Sequence, residues 1–194
     1  SSLTNAQDYR RYAPLPVPPA PTPPRIAIPQ PQAAEGSDKI LVERLDAIIV
    51  LDNPQKVQAD NAFADAAGLS YDFGDRSSLI YSPGAQQIIN RYIGGPVTLR
   101  QLNQLSRDLI LFYRRNNQPV VDVVIPEQKI TAGTVQLVVI ESRIGQVRVE
   151  GGCYFNPCML VEQIECTYAG SKVYESAINS DLNWLNRNPF RRVE

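Results

Sequence analysis

The stretch Val120–Gly151 limits the chain's possible folds more than any other. It holds three runs rich in valine and isoleucine, Val120–Ile125, Thr134–Ile140 and Ile144–Val149. Such residues suit a pleated, half-buried surface. Gly133 marks the turn between the first two, so they read as a hairpin with a longer loop. Only Glu141, Ser142 and Arg143 separate the second run from the third. A strand that stops and restarts so soon has passed into another sheet. The stretch therefore ends one small α+β domain and begins a second, and the three-residue elbow leaves the two domains little freedom of orientation.

The segments before it supply helices. Ser82-Pro83 is a helix start, with serine at the N-cap and proline at the first helical position. That helix is predicted to run to Tyr92 or Ile93 and to stop at Gly94-Gly95. Thr98 caps a second helix, in which Leu99, Leu102, Leu105, Leu109, Phe112 and Tyr113 form an apolar stripe at three- and four-residue spacing. Arg100, Arg107 and Arg114 share its other side, which reads as a solvated face. Ala47–Leu51 is a strand ended by Asn53-Pro54. Gln55–Ala67 has helical composition. Gly68–Ser82 reads as irregular, with Tyr71, Phe73, Leu79 and Tyr81 as anchors, so residues 53–82 count as an insertion. From Ala47 to Ile140 the order is strand, helix, helix, strand, strand: two helices on one face of a small sheet. From Ile144 the order begins again. A strand is followed by a helix from Asn156-Pro157 to about Ile164 and another over Glu175–Asn186, and the last two strands are lacking.

Residues 1–37 differ from the rest. Nine of the chain's 16 prolines lie between Pro14 and Pro31, which favours an extended, semi-rigid spacer. A ligand for an SH3-like domain is the other reading. The domain plan is thus a Pro-rich linker over 1–37, a first domain over 38–142 and part of a second over 143–194.

Composition excludes several functions. The net charge of −1 gives no basic excess for nucleic acid, and no partner of that kind is expected. The chain has no histidine, which removes the Ser-His and Cys-His nucleophile arrangements. Carboxylate pairs such as Glu175 with Asp181, or Glu127 with Glu141, lack a partner base, a glycine-rich loop or metal-ligand spacing. No catalytic residue, cofactor or metal is expected. The three cysteines are Cys153, Cys158 and Cys166. If Cys158 and Cys166 share a helix, their separation along it is roughly 12 Å, too far to bridge. Cys153–Cys158 is the favoured disulfide, and it suits an oxidising compartment.

The repeated order, together with particular residues, resembles the polypeptide-transport-associated (POTRA) domain. The similarity is to those of outer-membrane transporters of bacterial two-partner secretion, the haemolysin-activator and filamentous-haemagglutinin transporter type. It is carried by Pro96-Val97-Thr98-Leu99, Tyr113, Val120–Ile125 leading into Pro126-Glu127-Gln128, and Gly133. It continues through Val139-Ile140-Glu141, Arg143-Ile144-Gly145, Val147–Gly151 and the run Asp181–Phe190. Ser142 stands where the family usually has glycine, and the cysteines are not a family feature.

The resemblance implies tandem POTRA domains, the second truncated, in a periplasmic fragment of an outer-membrane protein whose β-barrel is absent from this chain. The implied partner is an unfolded secreted exoprotein with an N-terminal secretion domain, handed on to the barrel. The implied docking site is the strand Val120, Val121, Asp122, Val123, Val124, Ile125, at the sheet edge beside the first helix, where a client strand pairs by β-augmentation. The alternative is a POTRA scaffold of a barrel-assembly or cell-division protein.

Overall fold

The computed structural model describes residues 36–58, 66–128, 130, 133–150, 156–187 and 193. The Pro-rich segment before residue 36 lies outside them, as does Cys153.

A four-stranded mixed sheet organises residues 36–142. Its strands are β2 (Ala47–Leu51), β3 (Gly68–Asp72), β5 (Val121–Val124) and β6 (Thr134–Glu141), in the spatial order β3-β2-β6-β5. β2 runs parallel to both β3 and β6, and β5 is antiparallel to β6. A short antiparallel pair, β1 (Ile40–Val42) with β4 (Val97–Thr98), lies apart from this sheet.

Two helices cover one face. α1 (Pro83–Asn90) is capped by the Ser82 side chain, which accepts from the Ala85 amide. α2 (Leu99–Arg115) opens with a capping box in which Thr98 and Gln101 satisfy each other's backbone amides. The apolar stripe of α2 faces inward at Leu102, Leu105, Leu109 and Tyr113, while Leu99 is exposed. These side chains pack with Ile48 and Val50 of β2, Val123 of β5, and Val135, Leu137 and Val139 of β6. The other sheet face carries a smaller cluster, Ile49, Leu51 and Val138, roofed by Val57 and Ala66. β2 is therefore buried on both faces and reads as an unbroken apolar run, AIIVL. Gly133 adopts φ +67° at the β6 turn, a conformation that favours glycine.

Three expectations are corrected. Gly68–Ser82 is not an irregular insertion: its first five residues form β3, an edge strand. Leu69 and Tyr71 pack on the helix-side core, and Ser70 and Asp72 point outward. Pro54–Lys56 is a single 3-10 turn, so no helix begins where the composition of 55–67 suggested one, and residues 59–65 lie outside the description. Ile144–Val149 is not a strand among the described residues. A bridge joins Arg143 to Lys172, and Ile144 exchanges hydrogen bonds with Gly170 and Ser171. Beyond that point no described strand pairs with the segment, so its β-rich sequence has no ladder to join.

In residues 143–187, α3 (Pro157–Glu162) is capped by Asn156 and α4 spans Glu175–Leu185. Among the described residues of this part, only Leu160 and Leu185 are buried apolar residues.

Candidate docking edge and junction

β5 is the free edge of the sheet on the α2 side. The strand begins at Val121 rather than Val120, although the Ser142 amide still donates to the Val120 carbonyl, at 3.3 Å. That bond sets the alternation of the ladder. Residues 120, 122 and 124 turn their backbone groups toward β6, so the N–H and C=O of Val121, Val123 and Ile125 point to the open side. No described strand pairs with them. The segment 68–82, which could have covered this edge, lies at the opposite one. The neighbouring helix is α2, not α1, because α1 sits over β3. The resemblance implied the first helix, but sequence order does not fix which helix lies over which edge.

Side chains divide by face. Val121, Val123 and Ile125 pack into the helix-side core. Val120 and Val124, 46% and 41% exposed, flank the exposed Asp122 on the other face.

Pro126-Glu127-Gln128 ends the strand by a definable device. In register, Pro126 falls opposite Gln136, whose backbone N–H and C=O would pair with β5. Proline has no N–H to give. The Gln128 side-chain amide replaces it, accepting from the Gln136 N–H at 2.7 Å and donating to its C=O at 2.8 Å. Gln136 also turns its own buried amide onto the backbone of Gln58, at 2.9 and 2.6 Å, which holds the roof on the far face. Glu127 is exposed.

The elbow Glu141-Ser142-Arg143 is more than a short link. Tyr113 is wholly buried at the end of α2 and needs a partner for its hydroxyl. It donates to Glu141 Oε1 at 2.9 Å, and the Ser78 hydroxyl donates to the same oxygen. Burial pushes the Tyr113 pKa far up, the Ser78 hydrogen bond opposes this, and the Glu141 carboxylate adds to it. Lys172 comes from the other side of the junction. Its ammonium lies 2.9 Å from Glu141 Oε2 and 3.0 Å from Asp75 Oδ2. Arg143 reaches the same Asp75 oxygen at 2.9 Å and the Gly170 carbonyl at 3.0 Å. Ser77 first, then Lys172, hold the Asp75 carboxyl well below the usual carboxylate range. Burial lowers the Lys172 pKa, but hydrogen bonds to Glu141 and Asp75 outweigh it, and the net shift is upward.

A second tie was not visible in the sequence. α4 has no side-chain cap of its own. Asn117, in the turn after α2, supplies one from outside: its carbonyl accepts from the Glu175 amide at 3.1 Å and its Oδ1 from the Ser176 amide at 2.8 Å. Its side-chain nitrogen donates to Ser176 Oγ at 2.6 Å. Asn117 holds φ +68°, a conformation asparagine tolerates better than most residues.

Cys158 and Cys166 are exposed free thiols. The expected Cys153–Cys158 pairing falls on a residue outside the description.

The strand-helix-helix-strand-strand frame is a POTRA-like fold. Residues 75–142 match the family described as "POTRA domain, ShlB-type". Among curated proteins the chain is 33% identical over 63 residues to the heme/hemopexin transporter protein HuxB of Haemophilus influenzae. The match takes in 32% of this chain and 11% of that protein, so the chain spans about a tenth of its length. Among solved structures, CdiB from Escherichia coli shares the fold with a TM-score of 0.59 and 14% identity, over 89% of this chain and 27% of that one.

Proposed function

We propose that this chain is the periplasmic client-receiving part of an outer-membrane two-partner secretion transporter. It takes up an unfolded secreted exoprotein by pairing a client strand with β5 and delivers it to a β-barrel. The observation that carries the reading is the unpaired edge formed by the N–H and C=O groups of Val121, Val123 and Ile125. Backbone pairing is indifferent to client sequence, which suits a partner that has not yet folded. The tied junction would present this edge at a set angle to the second unit and to the barrel beyond. The ShlB type of the matching family favours this reading over a scaffold role in barrel assembly.

Val121→Pro tests it. The change removes an N–H that points to the open side and so leaves the β5–β6 ladder whole. Val121→Ala makes a comparable side-chain loss and keeps the N–H. In pull-downs with the N-terminal secretion domain of an exoprotein encoded beside it, the proline variant should bind about fivefold or more weakly than the alanine variant. Equal capture by the two variants, with equal melting temperatures, would rule out pairing at this edge.

A further inference from the structure

The docking edge carries one feature that sequence-blind pairing does not need. On the helix side Val123 is buried and Val121 and Ile125 are partly buried against the core, so the β5 side chains most open to a paired segment lie on the opposite face. That face presents Val120, Asp122 and Val124. Asp122 takes part in none of the ion pairs found among the described residues. Its cross-strand neighbour on β6 is Ile140, an apolar residue packed with Val138. The roof over this face, Val57 and Ala66, packs with residues of β2 and β6 and leaves Val120 and Val124 exposed. The carboxylate thus has an apolar neighbour on one side and the open edge on the other.

Register adds a geometric point. Asp122 turns its own N–H and C=O toward β6. Toward an incoming antiparallel strand it therefore occupies a non-hydrogen-bonded position, where facing side chains come closest, with Cα atoms about 4.5 Å apart. A cation in that place pairs with the carboxylate, and an anion is repelled. The residues two before and two after it would lie against Val120 and Val124.

Resting on the docking reading above, we infer that β5 selects extended segments with an apolar-x-basic-x-apolar pattern, the basic residue facing Asp122. The pattern is the same read in either direction.

The probes are two synthetic seven-residue peptides in which threonine alternates with valine, a central charged residue and valine; one carries lysine and the other glutamate. They are titrated into the isotopically labelled full chain at low salt, and amide shifts are followed at Val121, Val123 and Ile125. The lysine peptide should bind about three- to tenfold more tightly than the glutamate peptide. Added salt should narrow the gap. Asp122→Asn should abolish it, and Asp122→Lys should reverse it. If both peptides shift these amides equally, the charge selection is overturned while docking at β5 stands. If neither peptide moves them, the docking reading itself falls. If the unsubstituted chain does not discriminate between the peptides and Asp122→Asn makes the protein self-associate, the carboxylate is a guard against edge-to-edge pairing and the inference is overturned.

Discussion

Residues 36–142 and residues 143–187 hold together by different means. The first unit has a sheet with apolar clusters on both faces and two side-chain-capped helices. Among its described residues the second has helices but no sheet, and only two buried apolar side chains. It is anchored instead on polar contacts made across the junction: Lys172 between two carboxylates, and Asn117 at the start of α4. Apolar burial is non-directional and tolerates rearrangement, whereas hydrogen bonds fix distance and angle. What the second unit lacks in core it replaces with contacts that specify where it sits.

Lys172→Met should have the largest effect on that contrast. It leaves Glu141, whose side chain is only 9% exposed, without its cation, although the Tyr113 and Ser78 hydroxyls remain. A loss of about 2–3 kcal/mol is expected. It should fall on the second unit: amides of 170–178 should exchange faster with deuterium while those of β2 and β6 hold. Uniform loss of protection throughout would mean that the two units unfold as one.

The same clamp predicts a pH window. Asp75 has a lowered pKa in the folded state, so its contribution is complete above its ordinary value of 3.8 and is lost as pH falls through the lower folded value. Lys172 has a raised pKa, so its contribution is complete below 10.5 and is lost as pH rises through the higher folded value. The junction should hold across neutral pH and loosen at both extremes, read as the same local exchange.

The sequence made the helices legible and the edges less so. Ser82-Pro83, Thr98 with Gln101, and Asn156-Pro157 each carry a local capping mechanism, and all three helices start where those residues stand. β3 was missed because GLSYD contains three residues depleted or unremarkable in strands, although its Leu69–Tyr71 alternation was present. Ile144–Val149 erred the other way, since β-rich composition makes a strand only when a partner is in place. The elbow was read as stiff from its shortness. The side chains that tie it come from positions 75, 78, 113 and 172, and contacts so far apart in sequence leave no local pattern.

Asn117 separates a capping contribution from a backbone one. Asn117→Ala removes both side-chain contacts to Ser176 and places a Cβ-bearing residue of poorer tolerance at φ +68°. It should cost about 1–2 kcal/mol. Asn117→Gly loses the same contacts but relaxes the backbone and keeps the carbonyl that accepts from Glu175. If the cap positions α4, both variants should speed amide exchange at 175–178, alanine more than glycine. If only alanine does so, strain in the turn accounts for the effect and the contacts to α4 contribute nothing.

Gln128→Ala should give the smallest effect and confine it to the first unit. The variant leaves the Gln136 N–H and C=O without the amide that stands in for Pro126, at a cost of about 1 kcal/mol. Fraying should appear at the 124–136 end of the β5–β6 hairpin and stop short of Val121, which lies at the other end of the strand opposite Glu141. The junction residues should keep their exchange rates, because the Glu141 contacts to Tyr113 and Lys172 do not involve this end of the ladder. Faster exchange at Lys172 or Glu175 in this variant would show that the edge and the junction are coupled through β6, so that a client pairing with β5 would be felt across the elbow.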